Sequence, residues 1–105
     1  MTDDINYDIH NEQTDAFFDA VMLLQNREDC YKFFEDICTI KELQSIAQRL
    51  EVAAMLTEGE TFSVIGEKTG ASTATIARVN KCLKYGAGGY ELVLGNADKN
   101  KEAKE

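Results

Sequence analysis

Thr61-Phe62-Ser63-Val64-Ile65-Gly66-Glu67-Lys68-Thr69-Gly70-Ala71-Ser72-Thr73-Ala74-Thr75-Ile76-Ala77-Arg78-Val79-Asn80-Lys81-Cys82-Leu83-Lys84 is the stretch that decides the fold. Thr61 stands where it can cap a two-turn helix, and Gly70 ends that helix where a positive φ suits glycine best. Ser72 can cap a second helix running to about Tyr85. Two short helices broken by Gly70-Ala71-Ser72 have the form of a helix-turn-helix, a unit that holds its second helix out for a DNA groove.

Residues three and four apart share a helix face, which divides the second helix into stripes. Ile76, Asn80 and Leu83 make one, with Ile76 and Leu83 suited to packing inward. Thr73, Ala77, Lys81 and Lys84 make another, with Ala74 and Arg78 beside it. The small residues near the N-terminus let the backbone approach bases, the Thr73 and Thr75 hydroxyls or methyls can meet base edges, and Ala74 can meet a thymine methyl. Lys81 and Lys84, further along, are placed for phosphate. With Ser72 at the turn, the expected DNA-contacting set is Ser72, Thr73, Ala74, Thr75, Ala77, Arg78, Lys81 and Lys84. A third stripe, Thr75, Arg78, Val79 and Cys82, is expected to turn away from the groove toward the preceding long helix, where Arg49 lies among apolar neighbours. Two arginines there could clamp an anionic or flat ligand. Each could equally pair with one of the chain's many carboxylates.

Charge bears directly on this reading. The 105-residue chain has a formal net charge of -8, and acid repels phosphate. The acid is unevenly spread. Residues 1–38 carry ten acids against Arg27 and Lys32, whereas residues 61–85 carry Glu67 against Lys68, Arg78, Lys81 and Lys84. The helix-turn-helix is thus the basic segment of an acidic protein, and within a Debye length of about 8 Å the local field outweighs the total.

Outside the motif the chain also reads as helix. Thr14 can cap a helix carrying Phe17, Phe18, Val21 and Leu24, and Asn26, with Asp29 three positions on, starts a second carrying Cys30, Phe33, Phe34 and Ile37. Thr39-Ile40-Lys41-Glu42 has the form of a capping box. The long helix it opens carries Leu43, Ile46, Leu50, Ala53, Ala54 and Leu56 and stops at Gly59. Gly86-Ala87-Gly88-Gly89 is a hinge before a short apolar piece, Tyr90 to Leu94. The absence of proline agrees with an all-α fold. Residues 1–95 read as a single helical domain, and 96–105 as a charged, disordered tail. The aromatic residues crowded into the first two helices suit either a core or a dimer interface.

Several function classes drop out. A single histidine, dispersed cysteines and no nucleotide-binding loop leave no nucleophile–base pair, so no enzyme is expected. Cys30, Cys38 and Cys82 lack zinc spacing and are expected to be small buried apolar residues in a reducing compartment, with no metal. No apolar run is long enough to span a membrane, and the acidic N-terminus does not resemble a signal peptide, so a cytoplasmic protein without a membrane partner is expected.

The residues Thr39 to Arg49 (T-I-K-E-L-Q-S-I-A-Q-R), Leu56 to Glu60 (L-T-E-G-E) and Thr69 to Lys84 together resemble the Trp repressor family, and specifically its YerC/YecD-type branch. The resemblance covers about Cys38 to Leu94. It implies an all-α, intertwined homodimer with two reading heads, acting on operator DNA as a transcriptional regulator, most simply a repressor. In that family tryptophan lies between two arginines with its carboxylate held by arginine and threonine. The matching residues here are Arg49 and Arg78, with Thr39 and Thr75. The effector pocket so implied is Thr39, Arg49, Thr75, Arg78, Val79 and Cys82. Val79 stands where the repressor has glycine, and Cys82 replaces a pocket serine. The added isopropyl group and the weaker thiol fill or reshape that pocket. An amino-acid co-repressor follows from the resemblance, but these two departures point away from tryptophan itself, and no other cofactor is expected. A competing reading keeps the fold without DNA binding, with the acidic N-terminal helices meeting a basic protein partner.

Overall fold

The computed structural model describes residues 8–95, and the expected 96–105 tail lies outside them. The described residues are all-α: α1 (Glu12–Val21), α2 (Arg27–Ile37), α3 (Ile40–Thr57), α4 (Phe62–Thr69), α5 (Thr73–Tyr85) and a final helical segment α6 (residues 89–95). The chain divides into two compact units, with the boundary between Thr39 and Ile40.

The first unit holds α1 and α2. Asn11, rather than the expected Thr14, caps α1: its side-chain oxygen accepts the Thr14 N–H at 2.9 Å. Both are capping residue types, and the one three positions earlier adds most of a turn to the helix. Asn26 caps α2 as expected, accepting from the Asp29 N–H at 2.8 Å, while Asp29 reaches back to accept the Gln25 N–H at 3.1 Å. Phe17, Phe18, Phe33 and Phe34 cluster with ring centroids 5.4–6.5 Å apart. Neither helix has a buried residue, and Phe18, Met22, Leu23, Tyr31 and Ile37 are exposed.

The second unit has a conventional core. Val52, Ala53 and Met55 of α3, Ile65 of α4, Ala71 of the turn, and Ile76 and Val79 of α5 are buried together, with Leu83 of α5 and Tyr90 and Leu94 of α6 packed against them. Burial of each large member contributes about 1.5–3 kcal/mol. α3 ends in a Schellman arrangement: Glu60 N–H donates to the Met55 carbonyl and Gly59 N–H to that of Leu56, with Gly59 at φ +87°. The expected long-helix positions Ile46 and Leu50 are more than 40% exposed, because they line an open cleft instead of the core.

Candidate nucleic-acid interface

Three local devices build the reading head. The Thr61 hydroxyl accepts the Val64 N–H at 3.2 Å and starts α4. Gly70 ends α4 in the left-handed region at φ +77°, its N–H donating to the Gly66 carbonyl at 2.9 Å. Ser72 then starts α5 by accepting the Thr75 N–H at 3.1 Å. Ala71 between them is buried, so the turn itself is anchored in the core. α4 packs on α3 and α5, and α5 packs on α3.

Burial then sorts α5. Ile76 and Val79 are each 1% exposed, and Leu83, a turn further on, packs against the same core. Opposite them Thr73, Ala74, Ala77, Arg78, Lys81 and Lys84 are exposed, and so is Ser72 at the cap. Thr75 is half-buried, and its hydroxyl oxygen accepts a hydrogen bond from that of Ser72 at 3.1 Å. Of the eight residues expected to meet DNA, Thr75 is the half-buried one, and the side chains of Ser72 and Thr75 are both engaged in hydrogen bonds within the protein.

Two residues of the expected effector pocket share one cleft of the second unit. Arg49, half-buried on α3, and Cys82 on α5 line one cleft of about 490 Å³ with Ile46, Leu50, Tyr90, Val93 and the 86–89 segment. Arg78 and Thr75 are not among its lining residues, and Val79 belongs to the core. The third stripe thus splits: with 3.6 residues per turn, Val79 falls in line with Ile76 and Leu83, while Arg78 rotates to the outer face with Ala74 and Lys81. Thr39 lies in the other compact unit. The expectation of buried cysteines also fails at two positions, since Cys30 and Cys82 are exposed and Cys38 half-buried; all three are free thiols. Among the described residues no group of three or more His, Cys, Asp or Glu could hold a metal ion, and no helix is long and apolar enough to cross a membrane.

Sequence reading passed over Gln48. It lies four and seven residues before Val52 and Met55, on the face of α3 that packs against the motif, and its side-chain amide donates to the Thr69 carbonyl at 3.1 Å. A polar residue continuing an apolar stripe was the available signal.

The profile of the Trp repressor protein family matches residues 12–98, most of the chain and the whole reading head. The chain belongs to the Trp repressor family. This family member is 52% identical over 86 residues to YerC of Bacillus subtilis (strain 168), a protein of uncharacterised role, covering 82% of this chain and 83% of YerC. Its fold matches the crystal structure of a TrpR-like protein from Eubacterium eligens ATCC 27750, with a TM-score of 0.87 and 46% identity over 89% of this chain and 96% of the other. It also matches that of a candidate Trp repressor from Staphylococcus aureus, with a TM-score of 0.85 and 43% identity over 88% and 92% of the two chains. The Trp repressor family is one of DNA-binding regulators rather than enzymes.

Proposed function

We propose that this Trp repressor family member is a sequence-specific transcriptional repressor that acts on double-stranded operator DNA as a homodimer in the cytoplasm. The observation that carries this is the division of α5. One side is sealed in the core by Ile76 and Val79, and the other offers small and basic residues to solvent. Ser72, Thr73, Ala74 and Ala77 allow close approach to base edges, and Arg78, Lys81 and Lys84 supply phosphate contacts.

Dimerisation is supported by the first unit. α1 and α2 bury no residue yet carry exposed Phe18, Tyr31 and Ile37, with Met22 and Leu23 just after α1, apolar side chains of the kind that a partner copy would cover. In an intertwined pair, residues 1–95 of each copy form one helical domain. A two-fold axis would then set the α5 helices about 34 Å apart, one DNA turn.

The test is selection of bound duplexes from random sequence, followed by affinity measurements across salt. The expected result is an enriched palindrome whose affinity falls steeply with salt, because phosphate contacts release counterions. No enrichment, with capture of one basic protein partner instead, would favour the reading in which the acidic N-terminal helices are an interaction surface. The net acid of residues 1–38 is the observation behind that alternative.

A further inference from the structure

The end of α4 poses a hydrogen-bonding problem. Carbonyls in the last turn of a helix have no intrahelical donor. The Gly66 carbonyl receives the Gly70 N–H, but the Thr69 carbonyl lies beyond that pattern. Its donor comes from another helix, since the Gln48 Nε2 reaches it at 3.1 Å in a half-buried setting. The same threonine works on both sides of the turn. Its hydroxyl donates to the Ile65 carbonyl at 2.7 Å and accepts the Ala71 N–H at 3.1 Å. Gly70, the most permissive residue of the motif, is therefore bracketed by Thr69, and Thr69 is tied to α3 through Gln48.

Apolar packing of Ile76 and Val79 holds α5 against α3 and α4 but is non-directional. A hydrogen bond is directional. The difference matters for a helix that must register with bases. At 1.5 Å per residue Thr73 lies about 9 Å along α5 from the buried Val79, so a tilt of about 10° pivoting there displaces the base-facing N-terminal end by roughly 1.6 Å, enough to break a base-edge hydrogen bond. We propose that Gln48 is a positioning residue for DNA recognition: by anchoring the Thr69 carbonyl it fixes the α4–α5 turn on α3 and so sets the angle of α5. The proposal rests on the DNA-binding reading above. Gln48 itself contributes through the turn and does not contact DNA.

Gln48→Met, neutral and of similar length, tests this, with Gln48→Ala as a second variant should the first not fold. Two measurements are made on the full chain. The first compares affinity for a duplex selected by the wild-type protein with affinity for an unselected duplex of equal length, across salt. The expected result is about a tenfold fall in the ratio of the two, the scale of losing one base contact, with non-specific affinity and salt slope unchanged. A protein that had merely lost folded fraction would lose both affinities together. The second measurement is amide hydrogen exchange. Gly70 and Ala71 are expected to exchange faster while Val52 and Ala53 in α3 stay protected.

An unchanged affinity ratio, or unchanged exchange at Gly70 and Ala71, overturns the proposal. Absence of DNA binding by the wild-type protein overturns the functional reading instead, and with it the recognition role of Gln48. The exchange measurement then still decides whether Gln48 restrains the turn.

Discussion

Arg78 and Val79 are adjacent in sequence, about 100° apart on α5, and fall on different sides of its burial boundary: Val79 is 1% exposed in the core, while Arg78 stands in solvent beside Ala74 and Lys81. A single residue step thus separates a residue that packs the helix-turn-helix from one that, on the proposed function, offers charge to DNA. The two roles are separable by mutation.

Arg78→Ala and Lys81→Ala are expected to weaken binding to all duplexes by similar factors. Each should flatten the dependence of log affinity on log salt by about 0.9 for every phosphate contact removed. Thermal stability should change little, because exposed side chains away from caps and core contribute within about 0.5 kcal/mol. Fluorescence anisotropy across a salt series, paired with a melt, reads both quantities. An unchanged slope for both variants would remove the phosphate role.

Val79→Ala and Ile76→Ala should do the reverse. Each empties space in a core that also contains Val52 and Ile65. The expected loss is about 2–4 kcal/mol for Ile76→Ala and somewhat less for Val79→Ala, from lost transfer energy and the cavity left behind. Under conditions where the variants remain folded, the salt slope should match the wild type. Denaturant unfolding at equilibrium measures the loss, and a value near zero would place these residues outside the core.

The motif's local chemistry was legible in the sequence because it depends on neighbours. Thr61, Gly70 and Ser72 each act within four residues, so residue type alone announces the cap or the left-handed turn. The family resemblance rests on Thr39 to Arg49, Leu56 to Glu60 and Thr69 to Lys84 taken together, and the all-α fold on helical signals along the whole chain. Two kinds of feature were not legible. Thr14 and Asn11 are both good caps, and local propensity does not choose between them. Val79 lies three residues from Ile76 and four from Leu83, spacings that fit either a core stripe or a neighbouring one until the packed helices fix the rotation. The Gln48–Thr69 contact spans 21 positions: the apolar stripe places Gln48 on the packing face of α3, but nothing local names Thr69 as its partner.

Two glycines of α4 should respond oppositely to alanine. At Gly66 an added Cβ would lie 3.5 Å from the Ala71 carbonyl oxygen and 3.7 Å from the Ile76 Cδ1, ordinary contact distances. Helix propensity then dominates, and Gly66→Ala should stabilise by about 0.5–1 kcal/mol. Gly70 has open space around its Cβ position but φ +77°, so Gly70→Ala should destabilise by about 1 kcal/mol through backbone strain alone. Equilibrium unfolding of the pair distinguishes strain from crowding. A stabilising Gly70→Ala would contradict the left-handed turn.

The cleft bearing Arg49 and Cys82 makes a prediction about control. A flat indole held between two guanidinium groups needs both arginines facing one space, and Arg78 is not among the residues lining this one. Val79, which stands where the tryptophan-controlled repressor has glycine, is occupied in core packing and cannot withdraw without opening a cavity. Free L-tryptophan is therefore expected to leave affinity for the selected duplex unchanged within about twofold, well below the roughly 5–150-fold of a typical allosteric effector. Titration at fixed salt, with the other free amino acids run in parallel, measures this. A gain of about tenfold or more with tryptophan would show that Arg78 and Val79 rearrange around the ligand. A comparable gain with a different amino acid, lost in Arg49→Ala, would instead identify the Arg49–Cys82 cleft as the effector site.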